Sequence, residues 1–284
     1  MTDLQTQPPS SQYYVLTFPA PHVLLVTINR ENHRNALNHQ AHWDAEAIFR
    51  WFDNETSLRV AIVTGKGSKA FCAGQDLIEQ SNNVASKDGG IGAKRSERLL
   101  SHPPGGFMGL SRRRGKKPVI AAVNGYALGG GFEICLNCDI IVASPTATFG
   151  LPEAQVGLYA AAGGLSRLTR ISGLQIASEI AMTNRKLTAT EAQQYLLVNK
   201  ISKSPETLID EAVEMAIKIS NLSPDSIIVT RHGIREAWET GNVEQATIRT
   251  QQEYTEKLFG GENFAIGVNA FANKTRPKWV PSKL

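Results

Sequence analysis

Little in this sequence would tie it to a membrane, a secretory route or a polyanion. Only three cysteines, Cys72, Cys135 and Cys138, occur among 284 residues. That is too few for a disulfide framework and points to reduced thiols in an intracellular compartment. Cys135 and Cys138 form a CxxC, but without a second pair or a nearby histidine it argues for core packing rather than zinc or redox chemistry, and no metal site is expected. No apolar run reaches the roughly 18 residues of a spanning helix, and the opening MTDLQTQPPSSQ lacks the basic-then-apolar order of a secretory signal. The balance of 30 basic against 26 acidic residues leaves only +4, which gives no ground for wholesale binding to nucleic acid or membrane. A different signal is present: Ser282, Lys283 and Leu284 spell the receptor-read address for import into peroxisomes, so a peroxisomal location and an import receptor as partner are expected.

What is present is a chain long enough for one large α/β domain with a helical appendage. Strands are expected at 23-VLLVTI-28, 60-VAIVTG-65, 119-VIAAVNG-125 and 139-DIIVAS-144. Between the first two, Ala41, Ala45, Ile48 and Phe52 fall on one face of a helix. Alternating strands and helices imply a largely parallel sheet built from crossover units. From about residue 163 the strand signals stop, and helices are expected at 173–182, 206–221, 224–240 and 242–259, the third opened by Ser223 as cap and Pro224 as first helical residue. Residues 80–115 fit neither pattern. Their Gly, Pro and Asn clusters read as a helix fragment in a long mobile insertion or lid, and 112-RRRGKK-117 within it reads as a solvated charged face. The expected division is a disordered tail at 1–12, an α/β core at 13–205 with 80–115 as its variable part, a helical region at 206–274, and a tail at 275–284.

Two glycine turns carry the chemistry. In 70-AFCAGQDL-77 a strand turns through Gly74 into a helix start, which leaves the Gln75 N–H unpaired and pointing outward. The stretch 126-YALGGGFEICLNCDI-140 repeats the device, with Gly129, Gly130 and Gly131 leading into a helix whose first N–H groups are free. Two such donors aimed at one point make an oxyanion hole. Glu133 stands just inside the second helix although it is a poor core residue, and Glu153 follows Pro152 in 149-FGLPEAQVGL-158. A pair of carboxylates can split acid and base duties over one water molecule. Asp76 is better placed to cap the turn after Gly74 than to perform chemistry.

These residues resemble the crotonase family, the enoyl-CoA hydratase/isomerase superfamily. The likeness runs from about Val23 to about Trp279, through 29-NRENHRNALN-38, 62-IVTGKGSKAFCAGQDL-77, 117-KPVIAAVNGYALGGGFEICLNCDI-140, 148-TFGLPEAQVGL-158 and 163-GGLSRLTR-170. It implies a spiral of ββα units, a C-terminal helical region that drives trimerisation, and a homo-oligomer that is a trimer or a dimer of trimers. It also implies an acyl-CoA substrate whose carbonyl is held by the amides of Gln75 and Gly130. No separate cofactor is implied, because coenzyme A is part of the substrate. Glu133 and Glu153 match the two catalytic positions of the family's hydratases, which favours addition of water to a 2-enoyl thioester. A double-bond isomerase working through Glu153 is the alternative, and a non-catalytic CoA- or RNA-binding relative is a third reading. Coenzyme A itself is implied to lie against Arg34–Ala36 and the backbone at Ala73, Gly74, Asp76 and Leu77. Phe271 and Lys274 resemble the Phe and Lys that close over it from a neighbouring subunit. The chain departs from mainstream hydratases at 157-GLYAAAGG-164 and in its long 80–115 segment; both changes fall near the expected acyl pocket.

Overall fold

The computed structural model describes residues 3–85 and 102–284. Its larger sheet has six strands in the order β1 (Tyr14–Ala20), β2 (Val23–Ile28), β3 (Val60–Gly65), β5 (Val119–Val123), β7 (Ile140–Ala143) and β10 (Lys200–Ile201). Only the β1–β2 hairpin is antiparallel; β2 to β10 run parallel. Parallel strands covered on both faces read as continuous β-branched runs, which is why β2 and β3 have the ends that the sequence suggests. A smaller sheet stacks β4 (Ala70–Cys72), β6 (Tyr126–Leu128), β8 (Thr148–Gly150) and β9 (Leu187–Thr188). Strands β3, β5 and β7 of the first sheet thus each hand the chain to a three-residue strand of the second, and the turns that follow the short strands lie side by side.

Alternate residues of the large sheet face two helical layers. Leu24, Val26, Ala61, Val63, Ala121 and Val123 share the main core with Ala41, Ala45, Ile48, Phe49 and Phe52 of α1 (His39–Asn54). On the other face Val23, Val60, Ile62, Ile120 and Val142 pack against Leu208, Ala212 and Ala216 of α7 (Leu208–Ser220). Helices α3 (Gly130–Asn137), α4 (Gly164–Ser172), α5 (Leu174–Thr183) and α6 (Ala189–Gln194) add to the main core, and α2 (Leu77–Ala85) begins with exposed Leu77 and Ile78. The chain ends in α8 (Pro224–Thr240), α9 (Val243–Phe259) and α10 (Glu262–Ala272). Ser223 caps α8, its hydroxyl accepting from Ser226 N–H at 3.4 Å with Pro224 in the first turn. Asp139 ties α8 to the core. Burial alone would raise its pKa, but Arg231 and Arg235 at 3.0 Å each outweigh that and hold it below the usual carboxylate value.

Several expectations are revised. Strands do not stop at residue 163, because β9 and β10 extend the sheets by two residues each, too short to leave a periodic signal. Within the supposed mobile insertion, the turn around 107–113 packs into the core: Phe107, Met108, Leu110, Ser111 and Arg113 are buried, although Arg112 between them is exposed. Residues 86–101 lie outside the described residues. The basic cluster is not one solvated face. Arg113 is ion-paired with Asp53, and Lys117 Nζ donates to the carbonyls of Phe52 (2.8 Å) and Glu55 (2.6 Å), burial pushing its pKa down to about 8. At the N-terminal end, Gln5 and Thr6 donate to the Glu55 carboxylate. Cys72, Cys135 and Cys138 are free thiols packed in or against the main core. Among the described residues no helix is long and apolar enough to cross a membrane.

Candidate active site

The first donor loop follows β4. Gly74 has φ +95°, a conformation that glycine takes without a Cβ penalty. Its carbonyl accepts from Leu37 N–H at 2.9 Å, and the Leu37 carbonyl accepts from Asp76 N–H at 2.9 Å. This ladder skips Gln75, whose N–H takes part in no hydrogen bond among the described residues. Asp76 holds the turn: Oδ1 accepts from Ile78 N–H (3.2 Å) and Glu79 N–H (3.3 Å), and Oδ2 is ion-paired with Arg30 at 2.9 Å.

The second loop reaches α3 through Gly129 at φ +55°. A Cβ on Gly131 would come within 2.1 Å of the Cys72 carbonyl oxygen, and one on Gly74 would stand 3.5 Å from the Gly130 nitrogen. The start of α3 is therefore pressed against the Gly74 turn, and the free first-turn N–H of Gly130 lies beside that turn. A Cβ on Gly130 itself would strike the Phe107 ring at 2.4 Å. That ring fills the Cβ side of the donor residue, a contact between segments distant in sequence.

Glu133, one turn into α3, is only 4% exposed, and its Oε1 accepts from Gly164 N–H at 2.8 Å. Burial raises its pKa to about 7, opposed by the Gly164 amide and reinforced by the like charge of Glu153. Glu153 opens a short 3-10 turn, Glu153–Val156, whose form is fixed by Leu158 N–H donating to the Glu153 carbonyl at 3.0 Å. Its Oε1 lies 3.2 Å from where a Cβ on Gly129 would be, and its Oε2 is buried without a hydrogen-bond partner. Burial raises this pKa as well. An unpaired buried carboxylate oxygen is costly unless something fills it, which marks a place for water or ligand.

The structure thus brings Gln75, Gly130, Glu133 and Glu153 together from two glycine loops, a buried helix and a short turn. It also places the Arg34–Ala36 loop beside them, since the Arg34 carbonyl accepts from Ala73 N–H at 3.1 Å. Arg34 is exposed in a left-handed conformation (φ +51°), and Leu77 is exposed at the start of α2. Phe271 and Lys274 are not part of this cluster. They lie at the exposed end of α10, and no hydrogen bond or ion pair among the described residues joins them to the carboxylates. At the C-terminal end, Lys116 Nζ donates to the Leu284 carbonyl at 2.7 Å, Ser282 Oγ accepts from Leu284 N–H at 3.1 Å, and Lys283 is 3.6 Å from Glu262.

Sequence reasoning missed Phe107 and His42. His42 sits on the buried face of α1 and is bonded to the Gln75 side chain, Nε2 to Oε1, at 3.0 Å. The one available signal was a polar residue next to Ala41 on a face otherwise read as apolar.

Comparison with known proteins finds relatives that span nearly the whole chain. Residues 20–281 match the family described as enoyl-CoA hydratase/isomerase. The mevalonyl-coenzyme A hydratase sidH of Aspergillus fumigatus is 45% identical over 276 residues, covering 97% of this chain and 98% of that protein. The carnitinyl-CoA dehydratase of Escherichia coli is 37% identical over 261 residues, covering 90% and 94%. Among solved structures, the enoyl-CoA hydratase of Mycobacterium tuberculosis superposes with a TM-score of 0.82 at 32% identity, covering 96% of this chain and 100% of that one.

Proposed function

Since this chain belongs to the enoyl-CoA hydratase/isomerase family, we propose that it adds water to, and removes it from, the C2–C3 bond of a branched, polar acyl-CoA, with mevalonyl-CoA as the substrate. The observation that carries the chemistry is the pairing of Glu133 with Glu153 at the two donor loops. The choice of substrate rests on the 45% identical relative. A mevalonyl chain bears a methyl and a hydroxyl on C3 and a second hydroxyl at its far end. Its loss of water yields a conjugated 2-enoyl thioester.

In the hydration direction the thioester oxygen accepts from the N–H groups of Gln75 and Gly130, which draws electron density from C3. The ionised member of the carboxylate pair takes a proton from water as its oxygen bonds to C3, and the protonated member delivers a proton to C2. Negative charge passes through the thioester oxygen as an enolate, where each donor is worth about 10²–10³ in rate. Dehydration is the reverse. Two carboxylates that both hold raised pKa values suit this role, because close like charges favour one shared proton. The pair is competent with one proton and loses competence with two or none.

Coenzyme A is proposed to lie against Arg34, Ala36 and the Ala73–Leu77 backbone. Phe271 and Lys274 would act from a neighbouring copy in a trimer or dimer of trimers. Peroxisomal location through Ser282–Leu284 is a proposal of its own, tested by comparing N-terminally tagged chains with and without that tripeptide. The functional test is to supply purified protein with mevalonyl-CoA and watch for the absorbance of a conjugated enoyl thioester. Its appearance, with slower turnover of straight-chain 3-hydroxyacyl-CoAs, supports the reading. Turnover of a 3-enoyl-CoA to the 2-enoyl isomer with no water gained or lost would favour the isomerase instead.

A further inference from the structure

His42 is 1% exposed, yet both its ring nitrogens are engaged. Met108 N–H donates to Nδ1 at 3.1 Å, and Nε2 faces Gln75 Oε1 at 3.0 Å. Burial, with the neighbouring His102, pushes its pKa down to about 3, so the ring is neutral at ordinary pH and carries one proton. With Nδ1 accepting from Met108, that proton is on Nε2 and is donated to Gln75. The Phe107 ring stands edge-on to the imidazole at 4.5 Å between centroids, and His102 stands edge-on to it at 4.7 Å.

Three of these contacts, those with Gln75, Phe107 and Met108, lead to the oxyanion donors. Gln75 carries one donor N–H, and its side chain is held by His42. Phe107 occupies the Cβ direction of Gly130, which carries the other. Met108, next to Phe107, has φ +58°, a left-handed conformation unfavourable for a residue with a side chain. Its N–H is fixed in that conformation by His42 Nδ1, and Glu46, one turn further along α1, accepts from Gly105 N–H at 3.1 Å. Helix α1 therefore grips the 105–108 turn at two points, and His42 alone also reaches the Gln75 loop. A shift of about 1 Å in a donor can cost about 10²-fold in rate.

We propose that His42 is a positioning residue for the oxyanion hole, one buried imidazole that sets the spacing between Gln75 and Gly130 by bonding the first loop directly and the second through the Phe107–Met108 turn. The inference rests on reading Gln75 and Gly130 as donors to a thioester carbonyl. It predicts that His42 acts on the transition state with little effect on binding of coenzyme A.

The test compares His42→Phe, which keeps a ring and loses both hydrogen bonds, with His42→Gln, whose amide can accept from Met108 and donate to Gln75. The readouts are kcat and KM for mevalonyl-CoA, the melting temperature, and the carbonyl stretch of 13C-labelled 3-methylcrotonyl-CoA bound to each protein. In His42→Phe, kcat should fall about 10–100-fold while KM moves less than about threefold, and the bound carbonyl should lose most of its shift to lower frequency. His42→Gln should recover most of both. If His42→Phe does not fold, Gln75→Leu cuts the same bond from the other side and should give the same split. A carbonyl shift in the parent that persists unchanged in His42→Phe or Gln75→Leu, with kcat intact, overturns the role of His42 alone. A parent with no carbonyl shift removes the oxyanion-hole reading and this proposal with it.

Discussion

The two carboxylates proposed as catalytic sit on supports of opposite character. Glu133 belongs to α3, every residue of which is buried, and one of its oxygens is pinned by Gly164 N–H at 2.8 Å. Glu153 opens a short turn with no buried residue, which ends in exposed Val156 and precedes exposed Tyr159, and its Oε2 has no partner among the described residues. A buried helix keeps one reacting group at a fixed distance from the donors. A surface turn leaves the other partly unsatisfied until water or substrate arrives. Fixed geometry and unmet hydrogen-bonding capacity are thereby divided between two elements, and perturbing each should give a different kind of damage.

The largest effect should come from the fixed side. Gly130→Val places a side chain in the Phe107 ring and distorts the start of α3, so turnover of mevalonyl-CoA should be abolished, with circular dichroism to check that the chain still folds. Gln75→Ala keeps its N–H but loses the His42 bond, and should lower kcat about tenfold. Equal losses for the two would contradict the assignment of donors to the backbone.

Glu133→Gln and Glu153→Gln should each lower kcat about 10²–10⁴-fold, and the double variant should be scarcely worse than the poorer single one, because residues that act as a unit are not additive. Here the supports should be alike in outcome, since both carboxylates are proposed to transfer protons. A Glu153→Gln protein with near-normal kcat would break the pair.

Stability should separate them again. Glu133 ionises near 4.5 in the unfolded chain and near 7 when folded. Between these values the unfolded state binds fewer protons, so this group's contribution to stability falls as pH rises through that window and is fully lost above it. Glu133→Gln should therefore melt higher than the parent, on the order of a few degrees, above about pH 7, with the difference vanishing below pH 4.5. Thermal melts at several pH values would reveal it. Glu153→Gln should follow the same direction with a smaller rise.

The smallest effects test the supports without the carboxylates. Ile134→Ala in α3 should cost about 2–5 kcal/mol of stability, whereas Val156→Ala on the exposed turn should stay within about 0.5 kcal/mol. Denaturant titration of both variants measures the contrast.

Much of this was legible in the sequence, for physical reasons. The large sheet announced itself because parallel strands buried on both faces are unbroken apolar runs, as in Val60–Gly65, and Ser223-Pro224 marked the start of α8 by its capping chemistry. The two glutamates stood out because each sits in apolar or glycine-rich surroundings where a charge needs a reason. The second sheet was hidden, since three-residue strands such as Ala70–Cys72 carry no periodicity. The 102–111 turn was misjudged because Pro103-Pro104-Gly105-Gly106 has the composition of a surface loop, whereas its place in the fold depends on contacts from α1 that are distant in sequence. The role of His42 was hidden for the same reason, although its polarity beside Ala41 stood out on an apolar face. A polar residue on a buried helical face shows its partners only when the helix is docked.

The most direct test of the central claim is oxygen exchange. Mevalonyl-CoA incubated with the protein in 18O-labelled water should gain one heavy oxygen at C3 and none at its distal hydroxyl, read by mass spectrometry, and neither Glu133→Gln nor Glu153→Gln should support the exchange at a comparable rate. Conversion of acyl-CoA substrates with no solvent oxygen entering C3, or unimpaired exchange in either variant, would contradict a water-transferring pair of carboxylates.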